Sequence, residues 1–179
     1  MCHLLEMPSG TVNGDPRYYE AAAWTHVRLV LRELGLSATD VLIDYGCGAG
    51  RVLVEASRYR LRRVVGVEIN EALAKAAEDN LQSMRGRRTP FEIHKQDATE
   101  FRPSGCSKVV LFNPFGKETM SAVLENLIAE SSRSGTTIHV AYLNPQEQTV
   151  FEEYPEVTKE RVLKWAAFRH PTNIYSISG

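Results

Sequence analysis

Asp44, Gly46, Gly48 and Gly50 follow one another at two-residue intervals, directly after the apolar run Val41-Leu42-Ile43. A carboxylate beside closely spaced glycines is a ligand-binding arrangement. Glycines permit backbone conformations with positive φ and remove the Cβ atoms that would hold a ligand away from the main chain. A second carboxylate, Glu68, closes the next apolar run, Val64-Val65-Gly66-Val67, 18 residues beyond Gly50. A carboxylate about 20 residues past a glycine-rich turn is placed to accept hydrogen bonds from a vicinal diol. A third stretch, Asn113-Pro114-Phe115-Gly116, ends the apolar run Val109-Val110-Leu111-Phe112. If that run is a central parallel strand, its C-terminal end is where ligands bind in an open α/β sheet.

These residues need a scaffold that brings strand ends together. Short β-branched runs ending in turns, separated by helical patterns, predict alternating strands and helices around a mostly parallel sheet. Strands are expected at 41–45, 62–68, 91–95, 108–112 and 136–142, with a last pair at 161–168 and 173–178 joined by the turn at His170-Pro171-Thr172. Helices are expected at 17–34, 52–59, 71–84 with Asn70 as N-cap, 118–130 before the turn at Ser134-Gly135, and 146–154. In open α/β sheets ligands bind at the C-terminal strand ends, where all three stretches fall. Residues 1–16, rich in Pro, Gly, Ser and Asn, are expected to form an irregular arm ahead of a single domain over 17–179.

The Asp44-x-Gly46-x-Gly48-x-Gly50 pattern resembles motif I of class I S-adenosylmethionine-dependent methyltransferases. A dinucleotide fingerprint would need a glycine where Arg51 stands. The resemblance implies an α/β, Rossmann-like fold with a seven-stranded, mostly parallel sheet ending in an antiparallel hairpin, and S-adenosyl-L-methionine as cofactor. It implies cofactor contacts from the motif I loop (Asp44, Gly46, Cys47, Gly48, Gly50), from Glu68 and Ile69 at the second strand's end, and from Asp97 and Ala98 after the third. Asn113-Pro114-Phe115 resembles the Asn-Pro-Pro-aromatic motif IV of methyltransferases that modify planar amino nitrogens. It departs from that motif at Phe115 and Gly116. The comparison implies that Asn113, Pro114 and Phe115 are catalytic, with Asn113 also touching the cofactor. The short chain and its aromatic-rich first helix also resemble small protein-lysine methyltransferases of the Dot1-like group. Tyr18, Tyr19 and Trp24 would then cover the cofactor, or else anchor the first helix to the core.

Every site residue has a plainer reading. Glu68 could cap the following helix, Asp97 could be a turn residue, and both Asn-Pro pairs, 113–114 and 144–145, could simply end strands. The expected activity is methyl transfer to a nitrogen of an unidentified acceptor, macromolecular or small. A catalytically silent cofactor-binding subunit and a nucleotide-binding oxidoreductase are the alternatives.

Composition narrows the classes further. Of 179 residues, 43% are hydrophobic and 24% charged, as in a water-soluble globular chain, and no run approaches the ~20 apolar residues of a membrane span. The opening residues lack the features of a secretion signal, so a cytoplasmic location is expected. Three cysteines and five histidines show no metal-ligand spacing, so no metal is expected. The net charge of −1 does not favour nucleic acid as a partner. Arg58, Arg60, Arg62 and Arg63, and again Arg85, Arg87 and Arg88, nevertheless precede the second and third strands, which would put both groups at the sheet edge away from the cofactor.

Overall fold

Two parallel central strands decide which side chains meet. In the computed structural model, which describes residues 23–179, β1 (Val41–Tyr45) and β2 (Arg63–Glu68) pair with Asp44 opposite Gly66. Side chains along a strand alternate between faces. Val41, Ile43, Tyr45, Val65 and Val67 therefore fill one core, and Leu42 and Val64 the other. Asp44 and Glu68 fall in phase with Leu42 and Val64, so the two carboxylates emerge on the same side of the sheet.

β2 also pairs in parallel with β3 (Phe91–Lys95), and β1 with β4 (Lys108–Phe112), which pairs in turn with β5 (Ile138–Leu143). β7 (Thr172–Ile177) lies antiparallel between β5 and β6 (Val157–Leu163), giving the order β3-β2-β1-β4-β5-β7-β6. This is the seven-stranded sheet with a terminal hairpin that the sequence predicts. β1 is buried at every position, as a strand covered on both faces must be.

Helices α1 (Trp24–Glu33), α2 (Arg51–Ala56) and α3 (Glu71–Ser83) cover one face through Val27, Leu31, Leu53 and Leu81. Helices α4 (Lys117–Ser134) and α5 (Gln148–Phe151) cover the other through Val123, Leu124, Leu127 and Phe151. Each such side chain contributes roughly 1.5–3 kcal/mol by leaving water. Asn70 caps α3 as expected, its Oδ1 accepting the Leu73 N–H at 3.1 Å, and α4 ends on Gly135 in the left-handed region.

The terminal hairpin differs from expectation. Its first strand is Val157–Leu163 rather than 161–168. An edge strand with Lys159, Glu160 and Arg161 exposed lacks the apolar alternation that marks a buried strand, and such charges protect an open edge. Trp165 and Phe168, expected within the strand, lie instead in the β6–β7 connection. Helix α5 is also shorter than the expected 146–154, and the expected N-terminal part of the first helix, with Tyr18 and Tyr19, lies outside the described residues.

Candidate functional site

The loop after β1 is held from below by β2. The N–H groups of Gly46 and Cys47 both donate to the Val67 carbonyl, at 2.8 and 3.2 Å. Gly46, Gly48 and Gly50 have φ of 69°, 53° and 81°, a left-handed sequence that side-chain-bearing residues adopt only with strain. The Asn80 side chain, from α3, donates to the Ala49 carbonyl at 3.0 Å and fixes the loop's outer side. Nothing in the spacing of the sequence distinguishes Asn80 from any other polar helix residue.

Glu68 combines the two roles that its sequence position suggests. One carboxylate oxygen accepts the Gly48 N–H and the other the Asn70 N–H, each at 2.9 Å, so a single buried side chain joins the glycine loop to the start of α3. Asp44 is buried on the same side of the sheet, and burial, reinforced by the Glu68 charge, pushes its carboxyl well above the usual carboxylate range. Lys95, which ends the strand paired with β2, is engaged with Glu71. Among the described residues no cation forms an ion pair with Asp44 or Glu68.

Such a pair of carboxylates suits a ligand that brings hydroxyl donors and a positive charge. S-Adenosylmethionine carries a ribose diol, an ammonium and a sulfonium, so the donor set fits that cofactor. Glu68 would hold the diol and Asp44 would complement the positive charge. Ile69, 42% exposed beside Glu68, offers an apolar surface for a flat ring. Cys47 is turned inward, its thiol close under Gly66 and its pKa raised by burial, so only its peptide group faces the loop.

Asp97 uses Oδ1 to accept both the N–H and the hydroxyl of Thr99 at 2.8 Å, a turn-forming arrangement, and Ala98 is buried in the α4-side core. Trp24 is exposed rather than anchored in the core, and the Arg51 guanidinium lies 5.1 Å over its ring. The start of α1 is thereby placed beside the end of the glycine loop. Tyr19 lies outside the described residues.

The third stretch sits against the first. A Cβ built on Gly46 would lie 2.7 Å from the Pro114 Cβ, so the glycine is what allows the Asn-Pro loop to close over motif I. Asn113 has φ 41°, and at the end of the adjacent strand Asn144 has φ 50°; the pairing of Phe112 with Leu143 puts the two side by side. Left-handed non-glycine residues are uncommon, asparagine tolerates the conformation best, and such strain clusters at functional sites. Phe115 packs against the α4-side core, so its ring anchors the loop.

His26 is a site-rim residue without a sequence signal. Buried on α1, it bonds the Thr172 hydroxyl through Nε2 at 3.0 Å and stacks on Phe168 with ring centres 4.3 Å apart, while Trp165 meets it edge-on at 5.4 Å. The Asn144 N–H donates to the Pro171 carbonyl at 3.0 Å. The β6–β7 connection is thus held at the same rim as both Asn-Pro pairs. Among the described residues no cluster of His, Cys, Asp and Glu could hold a metal ion, and no helix is long and apolar enough to cross a membrane.

Known proteins share this fold, and others are similar to parts of this sequence. A solved RNA methyltransferase from Salinibacter ruber, in complex with S-adenosyl-L-homocysteine, superposes with a TM-score of 0.69 at 19% identity, over 89% of this chain and 94% of that one. A histone-lysine N-methyltransferase of Dictyostelium discoideum, H3 lysine-79 specific, is 27% identical over 168 residues, 86% of this chain and 8% of its own length. A protein-lysine N-methyltransferase of Saccharolobus islandicus is 35% identical over 81 residues, 41% of this chain and 50% of its own length. The chain spans half or less of the length of these curated relatives. The model of the family described as "Histone methylation protein DOT1" matches residues 13–138, which take in the glycine loop, Glu68 and the Asn-Pro loop. By that match the chain, with its class I S-adenosylmethionine-dependent methyltransferase fold, belongs to the DOT1 family of histone methylation proteins.

Proposed function

We propose that this chain transfers a methyl group from S-adenosylmethionine to a nitrogen of a macromolecular acceptor, a protein side-chain amine in preference to a nucleic-acid base. The observation that carries this reading is the approach of Pro114 to Gly46, which brings an amide and a carbonyl suited to an amine against the loop that fits the cofactor. When bound, the cofactor supplies an electrophilic methyl on sulfur, and S-adenosylhomocysteine departs as the acceptor's lone pair forms the new C–N bond. The chain's own residues position the reactants. Glu68 holds the ribose diol, Asp44 complements the positive charge, and the Asn113 side-chain oxygen and Pro114 carbonyl accept the acceptor's N–H bonds and aim its lone pair. Such positioning supplies up to ~7–11 kcal/mol of barrier reduction. A side-chain ammonium has no lone pair, so it first gives one proton to water, and the neutral amine then attacks; no dedicated base is needed for the transfer itself.

Phe115 supports the preference for an aliphatic amine. A planar base would be held by stacking on an aromatic ring, and the Phe115 ring of this loop is instead partly buried against the α4-side core. The lysine specificity in the names of the two curated relatives points the same way.

The test is to titrate the protein with S-adenosylmethionine by calorimetry, then incubate it with methyl-labelled cofactor and fractionated cell extract. Asn113→Ala is expected to keep cofactor affinity within about threefold and to lose at least about a hundredfold in transfer, as positioning losses of this kind do. Label appearing in nucleic acid rather than protein, or full transfer by Asn113→Ala, would overturn the assignment.

A further inference from the structure

The strongest feature that the proposed site leaves unused is basic and lies at the opposite end of the sheet. The loops preceding β2 and β3, residues 57–63 and 84–90, contain seven arginines and no acidic residue. The remaining 14 basic residues of the chain face 22 acidic ones, so these two loops carry +7 on a chain whose remainder carries −8. The small net charge therefore conceals a strongly polarised molecule.

Tertiary structure makes one surface of the two loops. The Arg88 N–H donates to the Ser57 carbonyl at 2.8 Å, and the buried Thr89 hydroxyl both donates to the Tyr59 carbonyl at 2.7 Å and accepts the Leu61 N–H at 3.0 Å. The Arg62 N–H is fixed to the Asp40 carbonyl at 3.0 Å. Three of the arginines have internal partners: Arg58 with Glu55, Arg63 with Glu92, and Arg87 with the Leu81 carbonyl and the Phe91 ring. Arg60, Arg62, Arg85 and Arg88 are exposed, and no carboxylate among the described residues forms an ion pair with them.

We infer that these four arginines form a docking surface for a nucleic-acid duplex, gripped through its phosphates. A guanidinium matches a phosphate with two parallel hydrogen bonds, and four of them on two loops joined by hydrogen bonds, with the Arg62 and Arg88 backbones themselves fixed, meet a dense, regular row of charges. Single strands are usually held by stacking of bases on aromatic rings, and the exposed large hydrophobics among the described residues, Trp24, Ile69 and Val162, are not in these loops. The strands place this surface about 17–20 Å from the catalytic rim. The duplex is therefore a tether that brings the acceptor near the rim, and is not itself the acceptor. The proposal goes beyond the methyl-transfer reading and stands independently of it.

The test measures binding alone, so its failure is distinct from a failure of the methyl-transfer reading. Fluorescence anisotropy with a labelled 24-base-pair DNA duplex, and an RNA duplex of the same sequence, is followed across salt concentrations. Four phosphate contacts predict a log–log salt slope of about −3.6, equivalent to roughly a hundredfold loss of affinity from about 50 to 200 mM salt. The fourfold variant R60A/R62A/R85A/R88A should remove nearly all of that slope while retaining the wild-type melting midpoint. The double variants R60A/R62A and R85A/R88A should each remove about half, and they carry the test if the fourfold variant fails to fold. Binding of neither duplex, binding unchanged in the variants, or equal binding of a single strand or of polyglutamate matched in charge would overturn the inference.

Discussion

Replacing Gly46 with alanine tests whether the cofactor loop and the acceptor loop are one device. Two terms act on the variant. At φ 69° an alanine carries the left-handed penalty of about 1–2 kcal/mol. Its Cβ would also lie 2.7 Å from the Pro114 Cβ, where 3.4 Å is the lower edge of ordinary contact, so the Asn-Pro loop must retreat by about 0.7 Å. Gly35 separates the terms. It has φ 59° and nothing within 4 Å of a built Cβ, so Gly35→Ala carries the backbone penalty alone. Denaturant unfolding should show about 1–2 kcal/mol lost in Gly35→Ala and about 1–3 kcal/mol more in Gly46→Ala, the usual range for overpacking. Transfer of labelled methyl into extract should be near wild type in Gly35→Ala and reduced about 10- to 100-fold in Gly46→Ala, because displacement of about 1 Å is enough to disrupt a near-attack geometry. Equal stability of the two variants together with full transfer by Gly46→Ala would show that the two loops do not meet as described.

Glu68→Ala should weaken S-adenosylmethionine binding by about 1–3 kcal/mol in calorimetry, and Glu68→Gln should not restore it, because an amide cannot accept from both the Gly48 and Asn70 N–H groups. Cofactor affinity should rise with pH as the Asp44 carboxyl, held above its usual range by burial and by Glu68, gives up its proton; in Asp44→Asn the pH profile should be flat and the affinity lower at every pH. His26 is held below its ordinary value of 6.5, first by burial and then by His170, so the unfolded chain binds the proton more readily than the folded one. The stability it contributes is therefore complete above pH 6.5 and lost as pH falls through the folded value. Melting curves across that range should show the loss in the wild type and a weaker one in His26→Gln.

Much of the site could be read along the chain because its signals are local. The spacing of Asp44, Gly46, Gly48 and Gly50, and the carboxylate that ends the next apolar run, depend on a turn and on strand length, which neighbouring residues specify. Asn70 as a cap and Gly135 as a helix stop are equally local. The edge strand Val157–Leu163 was not, because its charges answer to solvent and to its place at the sheet's margin rather than to a packing face. The arginine loops show the same limit. Their composition was visible, but the hydrogen bonds through Ser57 and Thr89 that join them into one surface come from residues about 30 positions apart.

The sequence by itself determined the order of strands and helices, the glycine turn and the carboxylates that flank it, since each follows from residue type and short-range periodicity. Only the tertiary structure decided that Asp44 and Glu68 emerge on one face, that Pro114 rests on Gly46, and that His26 secures the β6–β7 connection. Those contacts depend on sheet register and on helices closing over it, and register is set by the burial of whole faces rather than by any neighbouring residues.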